Sequence, residues 1–74
     1  MDRTAMSAAR SRAKMQIQTH GGRVTGWHRH LPVVYALPPL NGPVWPVSEV
    51  LEVSDGVRQM TRTSYIGGCT VIWS

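Results

Sequence analysis

A chain of 74 residues with a net charge of +4 has room for one small domain, and a domain of that size buries only about 60% of its unfolded surface, so its core is thin. Its single cysteine, Cys69, excludes an intrachain disulfide and fits a reducing cytoplasm better than a secreted, cross-linked scaffold. There is no apolar run near the ~18 residues of a membrane span and no apolar core of a secretory leader, so a cytoplasmic protein without membrane contact is expected.

Charge is unevenly placed. Residues 1–30 hold Arg3, Arg10, Arg12, Lys14, Arg23 and Arg29 against Asp2 alone. Residues 31–74 hold Arg58 and Arg62 against Glu49, Glu52 and Asp55. A basic first part on a near-neutral body points to an acidic partner: nucleic acid, or the acidic surface of a protein that handles it.

Residues 1–13 read as a basic N-terminal arm or short helix, ahead of a single β domain over residues 14–74. On a helix, Met6, Ala9, Ala13 and Ile17 share one side, with Arg3, Arg10 and Lys14 beside it. The apolar side is mostly Ala and Met and buries little, so an arm that orders on a partner is the first expectation and a docked helix the second. The segment is poor in acid, as organellar transit peptides are, but Asp2 and the lack of bulky apolar residues speak against one.

Lys14 to His28 reads as a hairpin. Met15, Ile17 and Thr19 alternate with Gln16, Gln18 and His20, Gly21-Gly22 supplies the turn, and Arg23 to Trp27 returns. That register sets Trp27 beside Gln16, and a bulge at Gly26 would move Trp27 to the Met15/Ile17 face. Trp27-His28-Arg29-His30 is the one cluster that invites chemistry. On a strand His28 and His30 share a side, and His20 can approach across the hairpin. Three histidines without a nearby carboxylate or second cysteine make a poor metal set, so they read as additions to a basic patch.

Residues 31–47 hold all five prolines and read as a cover. Val33 to Leu37 fits a short edge strand. Pro38-Pro39-Leu40 fits an extended run and Asn41-Gly42 a turn. The cover would lay Leu37, Leu40 and Trp45 over the sheet and protect an edge. A proline-rich ligand for an aromatic groove is the alternative.

Ser48 to Trp73 reads as a three-stranded antiparallel meander with two-residue turns at Asp55-Gly56 and Gly67-Gly68. The first turn sets Val53 opposite Arg58, Leu51 opposite Met60 and Glu49 opposite Arg62. The second sets Ile66 opposite Cys69, Ser64 opposite Val71 and Arg62 opposite Trp73. Alternation then collects Leu51, Val53, Met60, Ile66, Cys69, Val71 and Trp73 on one face, the expected core face. Arg62 is placed to pair with Glu49 and stack on Trp73. Cys69 reads as a small apolar strand residue.

The expected class is mainly β: a small antiparallel sheet or SH3-like partial barrel, built from a hairpin and the three-stranded meander. No phosphate-binding glycine motif, nucleophile elbow or close carboxylate pair is present, so no catalytic residue, metal or cofactor is expected. The candidate partner-binding residues are Arg3, Arg10, Arg12, Lys14, Arg23, Trp27, His28, Arg29 and His30.

Trp27, Leu31-Pro32, the strand Val50-Leu51-Glu52-Val53, Asp55-Gly56 and Trp73 follow one another in an order that resembles small phage and prophage proteins of unknown function. The resemblance covers residues 27–73; the long proline segment departs from the pattern, and the usual closing tryptophan segment is absent. It implies a phage context and transfers no functional residue. The expected function is a non-enzymatic interaction protein that binds and modulates a host nucleic-acid-processing machine, with RNA polymerase and transcription regulation as the first guess. Direct nucleic-acid binding, and a small structural subunit of a larger assembly, are the alternatives.

Overall fold

The computed structural model describes residues 3–42 and 44–74. One helix, α1 (Arg3–Thr19), precedes five strands: β1 (Arg23–Trp27), β2 (Val33–Leu37), β3 (Ser48–Ser54), β4 (Val57–Ile66) and β5 (Cys69–Trp73). The strands form one open sheet in the order β1-β2-β5-β4-β3. The mainly β expectation holds. The sheet is mixed rather than antiparallel, because β2 pairs with β5 in parallel. Its edges, β1 and β3, do not meet to close a barrel.

The helix runs through the boundary expected at residue 13 and replaces the first strand of the expected Lys14–His28 hairpin. Met15 to His20 alternates with period two, but Met6, Ala9, Ala13 and Ile17 recur at helical spacing and all four are buried. The longer period wins because it gives one continuous stripe to pack. Gly21-Gly22 is a helix stop, not a hairpin turn. Gly21 has φ +89°. Its N–H donates to the Gln18 carbonyl at 3.1 Å, and that of Gly22 to the Ile17 carbonyl at 2.8 Å. This pair of bonds closes a helix around a left-handed glycine.

The helix lies on one face of the sheet. Ala9, Ala13 and Ile17 meet Val34, Ala36, Ile66, Cys69, Val71 and Trp73 in a single core. The alanines that looked too small to bury much are what let the helix approach. A Cβ on Gly67 would stand 2.9 Å from the Ala13 amide nitrogen, and one on Gly68 would stand 3.3 Å from the Ala9 Cβ. Small side chains trade area for proximity. The first segment is therefore part of the core and not an arm outside it.

The meander has the register read from its turns: Leu51 opposite Met60, Glu49 opposite Arg62, Ser64 opposite Val71, Arg62 opposite Trp73. Asp55 and Gly56 both sit at positive φ, as a type I′ turn requires. The core face divides in two. Ile66, Cys69, Val71 and Trp73 are buried, whereas Leu51, Val53 and Met60 are exposed. Among the described residues α1 touches β1, β2, β4 and β5 but not β3, so the outer hairpin has no cover.

The proline segment is held from below. The Trp73 Nε1–H donates to Ser64 Oγ at 2.8 Å, and that hydroxyl donates to the Pro46 carbonyl at 2.8 Å. Trp45 stacks on Trp73 with ring centroids 5.7 Å apart and meets His20 edge-on. Trp45 thus takes the place on Trp73 expected for Arg62, which keeps only a 4.0 Å contact with Glu49. Leu37 and Leu40 are exposed, whereas Trp45 packs against the core and Pro39 is buried, so these two and not the leucines carry the cover. Val33–Leu37 is an interior strand between β1 and β5, not an edge. The turn expected at Asn41-Gly42 is closed by a 2.9 Å bond from the Gly42 amide to the Pro39 carbonyl.

Candidate functional site

The loop after β1 is a compact turn with its own side-chain support. The His28 amide donates to the Val33 carbonyl at 2.8 Å. His28 Nδ1 accepts from the amides of His30 at 3.0 Å and Leu31 at 3.1 Å. An imidazole nitrogen accepting twice carries no proton, so the ring is the tautomer protonated at Nε2. From the helix, Arg10 Nη2 donates to the His28 and Arg29 carbonyls. A cationic donor on two carbonyls is stronger than a neutral one. The loop and helix are thereby fixed to each other, and Arg29 and His30 are held against the first turns of α1.

Two contiguous grooves result. The first has a volume of about 940 Å³ and is lined by Arg3, Ser7, Arg10, Ser11, Arg29 and His30 among others. The second lies toward β1, where Lys14, Val24, Trp27 and Val34 join the same Ser7, Arg10 and Ser11. Among the described residues no carboxylate lines either groove. Arg3, Ser7 and Lys14 fall at helical spacing on one flank of α1. Trp27 shares the helix side of the sheet, because it pairs with the buried Val34 across a bulge between Val24 and Gly26. The bulge anticipated at Gly26 therefore occurs, but in the pairing with β2, and it brings Trp27 beside Lys14 rather than Gln16.

Of the nine candidate residues, Arg3, Arg10, Lys14, Trp27, Arg29 and His30 come together on this flank. Three do not. Arg12 donates from Nε to the Gly67 carbonyl at 3.1 Å, securing the β4–β5 turn to the helix. Arg23 pairs with Leu37 one step from the Val24–Ala36 pair, and Ala36 is buried under the helix, so Arg23 faces the opposite side of the sheet. The His28 ring is spent on its own turn. Ser7 and Ser11 went unnoticed in the sequence. Their spacing of four, between Arg3 and Lys14, was the available signal.

Cys69 is fully buried, and burial raises its thiol pKa against the opposing pull of Arg10 and Arg12. It belongs to the core, as its strand position suggested. Among the described residues no three His, Cys, Asp or Glu side chains converge as metal ligands, and no helix is long and apolar enough to cross a membrane. Comparison with protein-family models, curated proteins and solved structures finds no match to the chain.

Proposed function

We propose that this chain is a non-enzymatic, phage-encoded interaction protein that binds and modulates a larger nucleic-acid-processing complex of the host, with RNA polymerase as the first candidate. One observation carries the interaction reading: the β3–β4 hairpin extends its sheet face past the helix and leaves it bare. Leu51, Val53 and Met60 stand exposed on that side. Contiguous apolar surface rimmed by charge, here Glu49, Arg58 and Arg62, is typical of a protein contact. β3 also has a free edge, to which a partner strand can add backbone hydrogen bonds. The occupant this fits is a protein surface with an apolar centre and an extended segment at its border. The basic flank at the other edge, and the phage resemblance of residues 27–73, support a partner that works on nucleic acid.

The test is capture by the tagged chain from bacterial lysate, with and without nuclease, followed by titration against purified RNA polymerase. Nuclease-resistant binding that is lost in Leu51→Glu/Met60→Glu supports the reading. Binding abolished by nuclease, or untouched by the hairpin variant, overturns it.

A further inference from the structure

We infer that the α1–β1 flank is a binding track for single-stranded nucleic acid, with phosphates seated along α1 and an unpaired base stacked on Trp27. This goes beyond the hairpin contact and uses a different surface. Four features converge. First, the two grooves share Ser7, Arg10 and Ser11 and so form one path, from Arg29 and His30 at one end to Lys14 and Trp27 at the other. Second, the path offers cations and hydroxyl donors with no carboxylate among its described lining residues, which suits phosphate oxygens and disfavours a basic or neutral peptide. From Arg3 to Lys14 the helix rises about 16 Å, enough to face several consecutive phosphates. Third, Trp27 is 60% exposed, at the strand end that borders this path. Trp45 and Trp73, by contrast, stack on each other. An open indole beside a cationic track is the arrangement that holds a base by its face. Fourth, the surface is preorganised, since Arg10 ties helix to loop and His28 shapes the loop that presents Arg29 and His30.

A single strand is favoured over a duplex because stacking needs a base whose face is free, and paired bases hide theirs. Arg10 is a positioning residue here, engaged with the loop carbonyls. Arg3, Arg29 and Lys14 are the phosphate ligands, and Ser7 and Ser11 assist them.

The experiment is titration of the full chain with a short oligothymidylate, an oligouridylate and a duplex of equal length, followed by tryptophan fluorescence and anisotropy. The expected result is quenching by both single strands that disappears in Trp27→Phe, with affinity falling roughly 5- to 100-fold in Trp27→Ala. Arg3→Glu/Arg29→Glu is expected to weaken binding by about tenfold or more, with a log–log salt dependence near −2 in the parent for three phosphates at about −0.7 each. Arg23→Glu, on the opposite face of the sheet, is expected to leave affinity unchanged. Three results would each overturn the inference: a loss for Arg23→Glu as large as that for Arg3→Glu/Arg29→Glu, which would mean diffuse charge; unaltered affinity in Trp27→Ala; or duplex binding as tight as single-strand binding. Melting curves of each variant show that it is folded. The outcome is independent of whether nuclease-resistant capture through the hairpin succeeds.

Discussion

The two ends of this sheet are built alike and finished differently. At the β1–β2–β5 end and at the β3–β4 end alike, successive side chains alternate between the two faces of the sheet, and the β3–β4 and β4–β5 turns both pass through positive-φ pairs. Only the first end has a helix over it. The same alternation that buries Val34, Val71 and Trp73 leaves Leu51, Val53 and Met60 exposed. Alternation therefore says which side of a strand is apolar, while burial depends on what reaches that side. The helix-covered end supplies the stability, and the bare end is free to meet a partner.

The comparison can be broken most severely at the helix. Removing residues 1–13 takes away Ala9 and Ala13 and uncovers Ile66, Cys69 and Val71. Since the whole domain is worth only about 5–15 kcal/mol, the shortened chain is expected to lose its cooperative thermal transition. A transition retained near the parent temperature would show that the helix is dispensable. Trp73→Ala should cost about 3–5 kcal/mol in urea unfolding, whereas Leu51→Ala, exposed on the same face, should cost under about 1 kcal/mol. A Leu51 cost equal to that of Trp73 would mean that the hairpin face is covered in solution. The two turns divide the same way. Gly67→Val meets both a positive φ and the Ala13 backbone, and is expected to cost well over the roughly 1 kcal/mol expected for Gly56→Val, where an added side chain has open space. The smallest effect is chemical. Cys69 should resist alkylation in the folded protein and react fully in urea, because its thiol is buried with its pKa raised. The sign of that shift means that the folded chain keeps the proton longer, so stability should fall as pH rises past the ordinary thiol value of 9.0.

The meander was legible residue by residue, because Asp55-Gly56 and Gly67-Gly68 each fix a two-residue turn and hence every pair beyond it. The helix over Met15 to Thr19 was not legible as such, because six residues of alternation and a Gly-Gly pair fit a hairpin as well as a capped helix end. What decides is contact with Val34 and Ile66, which are distant in sequence. Arg3, Arg10 and Lys14 could be grouped from the sequence because they share a helix flank whatever covers it. Arg12 and Arg23 lie away from that flank for a related reason. Charge at a position is visible in the sequence, but whether a guanidinium faces solvent, a carbonyl or the far side of a sheet depends on the packing.

The parallel pairing of β2 with β5 also shapes how the chain finds its fold. β1 with β2, and the meander β3–β4–β5, are built from local pairings that can form on the timescale of a hairpin, about 1–10 μs. Neither has a finished core. The pairing of β2 with β5 joins them, bringing Val33 beside Thr70 across a long stretch of chain, as α1 brings Arg12 beside Gly67. Joining two fast pieces through one distant pairing makes closure the slow step, because the loop entropy must be lost before the contacts form. Until β2 meets β5, two additional strand edges, on β2 and on β5, stand open to other chains. Aggregation during refolding should therefore track the lifetime of that half-assembled sheet more closely than the stability of the finished one.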